Sequence, residues 1–115
     1  MFRRHGLILI SCLVVPGCAS TEELESQAPK QAFNTSEKIA TIRDCIVLPN
    51  RNYIQALPKG DGWLVTSIGA EVSNFAVDLT PTPQGTHVEV RRVVGPLNVV
   101  WDRDVEPCID KLPRN

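Results

Sequence analysis

Two periodicities divide this chain. Ile39, Ile42, Cys45 and Ile46 recur at helical spacing and would share one face of an amphipathic helix. Asn34 or Thr35 can cap that helix, with Glu37 three residues after Asn34, and Pro49 and Asn50 end it. The period then changes to two. Residues 53–57 form a weak strand candidate, stopped by Pro58 and a Gly60-Asp61-Gly62 turn. Residues 63–68 form a short apolar run that Gly69 breaks. Over 72–79, Phe75, Val77 and Leu79 face one way while Asn74, Ala76 and Asp78 face the other. Pro81, Pro83 and Gly85 make the next connection.

Residues 86–93 alternate again, with Val88 and Val90 inward and His87, Glu89 and Arg91 outward. Such alternation predicts an antiparallel sheet with one wet face. Arg92 would fall on the Val90 side, which predicts a bulge or a strand end there. Gly95-Pro96 closes the run, and 97–101 reads as a further strand or an apolar loop. Val105, Cys108, Ile109 and Leu112 then make one apolar stripe of a last helix beginning near Asp102 or Asp104. Pro107 is tolerated in its first turn, where an N–H has no intrahelical partner to lose. The order predicts a two-layer α+β domain over 34–115. It comprises an N-terminal helix, a three- to four-stranded antiparallel sheet and a C-terminal helix, with both helices on one side of the sheet.

Ahead of this domain the pattern is different. Residues 1–17 carry Arg3 and Arg4, an apolar run from Leu7 to Val15, and the small residue Gly17, the layout of an export signal. The apolar run is about half of the roughly 20 residues a membrane-spanning helix needs. Residues 18–33 are rich in Glu, Ser, Gln and Thr and lack apolar periodicity, which predicts a flexible tether.

Val15-Pro16-Gly17-Cys18 resembles the lipobox of bacterial lipoproteins, with Pro16 a departure from the usual small or β-branched residue. The resemblance implies a diacylglycerol on the Cys18 thiol and cleavage just before it. Leu9-Ile10-Ser11-Cys12 is a competing match, but cleavage there would leave the apolar Leu13-Val14-Val15 on the mature chain. Two or more acyl chains give stable anchoring where one does not. Ala19 and Ser20 stand where inner-membrane lipoproteins often carry Asp, so the resemblance implies the outer membrane, with the domain in the periplasm. The mature domain is also similar to small proteobacterial lipoproteins with one cysteine in an opening helix and another near the C-terminus, a likeness that brings no activity with it.

Setting aside Cys12 and Cys18 leaves Cys45 and Cys108, and an even pair in an exported chain reads as a disulfide. It would link the two helices and contribute roughly 4 kcal/mol in the chain-entropy account. A metal site would need more ligands than two thiols and His87, the one histidine after the signal. The signal holds two of the twelve basic residues and none of the thirteen acids, so the remaining chain has a formal charge of −3. That balance argues against nucleic-acid binding.

Candidate chemistry is sparse. His87 has no neighbouring nucleophile signature, and a Ser–His–acid hydrolase needs one. Asp102, Asp104 and Glu106 alternate like calcium ligands but lack the glycine and distal Glu of a calcium loop, and suit a helix start better. Trp63 and Trp101 would serve as a glycan platform or as core. Arg91 and Arg92 form the domain's basic doublet and are its candidate partner contact. No catalytic set, cofactor motif or metal set stands out. The expectation is a non-catalytic envelope module, anchored to the membrane through its lipid, that binds an envelope protein or cell-wall glycan. A small hydrolase of envelope polymers is the alternative.

Overall fold

The computed structural model describes residues 21–68, 74–93 and 98–115. The lipobox at Cys18, the competing Cys12, Gly69, Val72 and the Gly95-Pro96 break lie outside the described residues. The elements run α1 (Thr21–Glu25), β1 (Gln31–Thr35), α2 (Ile39–Val47), a 3-10 turn (Leu48–Asn50), β2 (Ile54–Lys59), β3 (Gly62–Ser67), β4 (Phe75–Thr82) and β5 (Gly85–Arg92). A π-helical turn (Trp101–Val105) leads directly into α3 (Glu106–Asp110). The fold is α+β. Its five strands form one antiparallel sheet in the order β1-β5-β4-β3-β2.

The core lies on one face of this sheet. Val65, Phe75, Val77, Leu79, Val88 and Val90 are buried there against Ile42 and Ile46 of α2 and against Trp101, Val105 and Ile109. The alternation in β4 and β5 thus points its apolar set at the helices. Trp101 is fully enclosed, its ring 6.1 Å from that of Phe75 and tilted by 53°. Cys45 and Cys108 are joined across α2 and α3, 63 positions apart in sequence. Both helices therefore stay on the same side of the sheet.

Four expectations need correction. First, the helix does not open the domain. Thr35 is the last residue of β1, so neither it nor Asn34 can cap α2, and the N-cap is Lys38, which makes no side-chain capping bond. Second, the sheet has five strands, because β1 pairs with β5 from Gln31↔Val90 to Thr35↔Thr86. Third, the stretch assigned to a tether, 18–33, holds α1 and the first three residues of β1. Its composition could not offset ordering by itself; the partners are supplied from afar. Phe33 packs on the main core, and Leu24 is buried against Leu64 and Ala76. Fourth, the outer face is not simply wet. α1 lies on it, and even Asp78 is buried there.

Smaller differences follow the same logic. β4 runs on through Pro81 to Thr82. Pro81 lies past the last β3–β4 pair, Trp63↔Leu79, so its missing N–H falls where that neighbour has ended. Residues 99 and 100 are helical, not strand. Pro107 is second in α3, but helix already runs unbroken from residue 99 and the Glu106 N–H before it bonds the Trp101 carbonyl, so the proline does not stand at a free helix start as expected; the wider Trp101–Val105 π turn loosens the ladder where its N–H is missing. Trp101, Val105, Cys108, Ile109 and Leu112 are all buried, so the apolar stripe survives the change of helical period. Gly60, with φ of 58°, takes the left-handed position of the two-residue β2–β3 turn. At Gly85 a Cβ would collide with the backbone carbonyl of Thr35, so glycine is what lets β1 close on this hairpin.

Candidate functional site

The outer face of the sheet gathers five charges from four separate stretches of chain. Register puts Asp78 of β4 directly opposite Glu89 of β5, and Ala76 opposite Arg91. Two carboxylates in register repel each other unless a cation is near. Arg91 supplies it: one terminal guanidinium nitrogen lies 3.1 Å from Asp78 and the other 3.2 Å from Glu89. The first also lies 3.5 Å from Glu25 of α1, and the arginine Nε donates to the carbonyl of Gln27 at 2.7 Å. Lys59, from the end of β2, donates to Asp78 at 2.7 Å and is paired with Glu25 as well.

Burial sharpens these contacts. The side chains of Asp78 and Arg91 keep only 11% and 12% of their exposure. Burial pushes the Glu25 carboxyl above its ordinary range, a hydrogen bond to Asp78 pushes the same way, and Lys59 pulls back against both. Burial alone would lower the Lys59 ammonium, but its bonds to Asp78 and Glu25 outweigh that and raise it. Glu25 Oε2 is buried without a hydrogen-bond partner, although Arg91 stands within ion-pair reach. Three anions thus share two cations, and one anion holds its proton more tightly than usual.

Beside this network is a cleft of about 510 Å³, lined among others by Lys59, Asp61, Asp78, Thr80, Glu89 and Arg91. It lies at the Gly60–Asp61 turn and is mixed in charge. Glu25 does not line it. The chemistry on offer is recognition by paired donors and acceptors: Lys59 remains half exposed, and Asp61 and Thr80 are open to solvent.

The residues singled out by sequence are scattered by the fold. Arg91 and Arg92 point to opposite faces of the sheet, as the alternation in β5 expects. Arg91 is spent within the network. Arg92, paired with Phe75, is the last residue of β5, so the strand end expected there is found and no bulge is needed; its guanidinium lies 5.4 Å from the Trp101 ring centre on the core side. His87 bridges Asn34 at 2.7 Å and Glu89 at 3.2 Å. Trp63 is half-buried with Arg43 4.9 Å over its ring, while Trp101 is core and donates to Glu106 at 3.2 Å, so the two make no shared platform. Asp104 pairs with Arg103. Among the described residues no group of three or more His, Cys, Asp or Glu is placed to hold a metal.

Sequence reasoning missed Glu25 and Lys59. Asp78 carried the one available signal, a charge inside an otherwise apolar run. No family model, curated protein or solved structure matches this chain. Its function has to be argued from its own residues.

Proposed function

We propose that the protein is a lipid-anchored module of a bacterial cell envelope that binds a partner and does not transform a substrate. Cys18 carries the lipid, the outer membrane holds it, and the domain faces the periplasm. The disulfide between Cys45 and Cys108 supports an oxidising compartment. No helix among the described residues is long and apolar enough to cross a membrane, so in this reading attachment falls to the lipid.

The observation that carries the binding reading is the cleft at the Gly60–Asp61 turn. Its charged walls are preorganised by ion pairs, which favours recognition of a polar protein segment or a cell-wall glycan at low ordering cost. The second reading, a small hydrolase, has one observation in its favour: burial and the neighbouring Asp78 hold the Glu25 carboxyl above its ordinary range. Against it, that carboxyl lies outside the cleft lining.

A photo-crosslinker at Thr80, tested in intact cells, separates the outcomes. The binding reading expects one dominant protein or glycan adduct that disappears when Asp61 is changed to Lys. No adduct would sink it. Release of fragments from isolated cell wall by the wild type, abolished by Asp78→Asn in a folded protein, would favour the hydrolase.

A further inference from the structure

We infer that the cleft at the Gly60–Asp61 turn takes the ammonium of a lysine side chain presented by a partner protein. This rests on the binding reading above and names the chemistry that the cleft recognises. Its charged lining sets the cations Lys59 and Arg91 against the carboxylates of Asp61, Asp78 and Glu89, so anions are in excess. The two cations are already committed. Lys59 donates to Asp78 at 2.7 Å and is paired with Glu25 behind the lining. Arg91 uses Nε on the Gln27 carbonyl and its terminal nitrogens on Asp78 and Glu89. Little donor capacity is left for a ligand.

The acceptors are not used up. The Asp61 carboxylate is exposed and makes no ion pair or hydrogen bond among the described residues, and neither does the Thr80 hydroxyl. Thr80 stands two residues after Asp78 in β4, hence on the same face of the sheet, and Glu89 lies across from Asp78 in β5. One Glu89 oxygen meets Arg91 at 3.2 Å and the other meets His87 at 3.2 Å. A carboxylate has about four acceptor positions, so Glu89 keeps some open as well.

Spare acceptors on separate groups, beside engaged donors, ask for a ligand rich in donors. An ammonium brings three rotatable N–H groups and the missing positive charge, whereas the planar fork of a guanidinium is matched to a single carboxylate. A sugar hydroxyl donates once and leaves the Asp61 charge unbalanced. An anionic ligand would meet carboxylates with both cations already taken. Trp63, half-buried, also lines the cleft, and the methylene stem of a lysine can lie along it while the head stays near Asp61. The formal charge of −3 after the signal acts at longer range in the same direction, steering a basic partner toward the domain.

Amide-resolved NMR titration of the full chain in nonionic detergent tests this assignment. The probes are acetyl-Lys-Lys-Lys-amide, the same peptide with its side-chain amines acetylated, acetyl-Glu-Glu-Glu-amide and chitotriose. Only the lysine peptide should give saturable shifts, centred on Gly60, Asp61 and Thr80. Asp61→Asn should weaken its binding about fivefold, the upper range for an exposed ion pair. Asp110→Asn, an exposed acid of α3 on the other side of the sheet, should leave it unchanged. Equal binding of the acetylated peptide, tighter binding of either remaining probe, shifts beside every exposed acid alike, or no shift at all overturns the inference. The binding reading is decided separately: it stands if the Thr80 crosslinker captures one adduct in intact cells even where no lysine peptide binds, and it falls if none forms, whatever the peptides do.

Discussion

Asp78 and Glu89 face each other in register on neighbouring strands, and Arg91 holds both. Like charges opposite one another in a sheet cost stability, so the pair persists only because the guanidinium reaches one carboxylate with each terminal nitrogen. Substituting Arg91→Met should destabilise the fold by about 3 kcal/mol, since it leaves largely buried carboxylates uncompensated. Denaturant unfolding checks this. Adding Asp78→Asn to Arg91→Met should recover part of the loss; a strictly additive double variant would contradict the coupling.

Glu25 should make stability fall as pH rises. Folding raises its pKa above the ordinary 4.5, by burial first and by Asp78 second, with Lys59 opposing. A raised folded value means the contribution is complete below the unfolded pKa and is lost as pH climbs through the folded one. Glu25→Gln should therefore match the wild type below about pH 4 and exceed it near pH 7. Thermal melts across that range decide the matter, and a variant weaker than wild type at neutral pH would refute it.

Removing the bridge should be costly. Cys45→Ala with Cys108→Ala releases a constraint between positions 63 apart, worth roughly 4 kcal/mol in the unfolded-chain account. Non-reducing and reducing unfolding curves of the wild type should differ by a similar amount, and coincident curves would show that the bridge contributes little.

Leu24 is the one buried apolar residue of α1. Leu24→Ala should cost about 2 kcal/mol, by removing most of the side chain that packs on Leu64 and Ala76. The loss should be local. Hydrogen exchange should quicken over 21–27 while β4 and β5 stay protected, and uniform quickening across the sheet would argue that α1 is integral to the cooperative core.

The sequence by itself determined the alternation of Phe75, Val77 and Leu79, that of Val88 and Val90, and the stripe from Val105 to Leu112, because local period encodes which side of an element is dry. It also left Cys45 and Cys108 as one even pair, each on an apolar helix face, from which the bridge between α2 and α3 could be read. Tertiary structure alone decided the rest. Residues 21–35 hold too little apolar surface to order themselves, and they fold only because Leu64, Ala76 and the free edge of β5 are there to receive them. The charged network could not be read from the chain either. Glu25, Lys59, Asp78 and Arg91 are drawn together by register and by the path of α1, and no local pattern records an ion pair between residues so far apart.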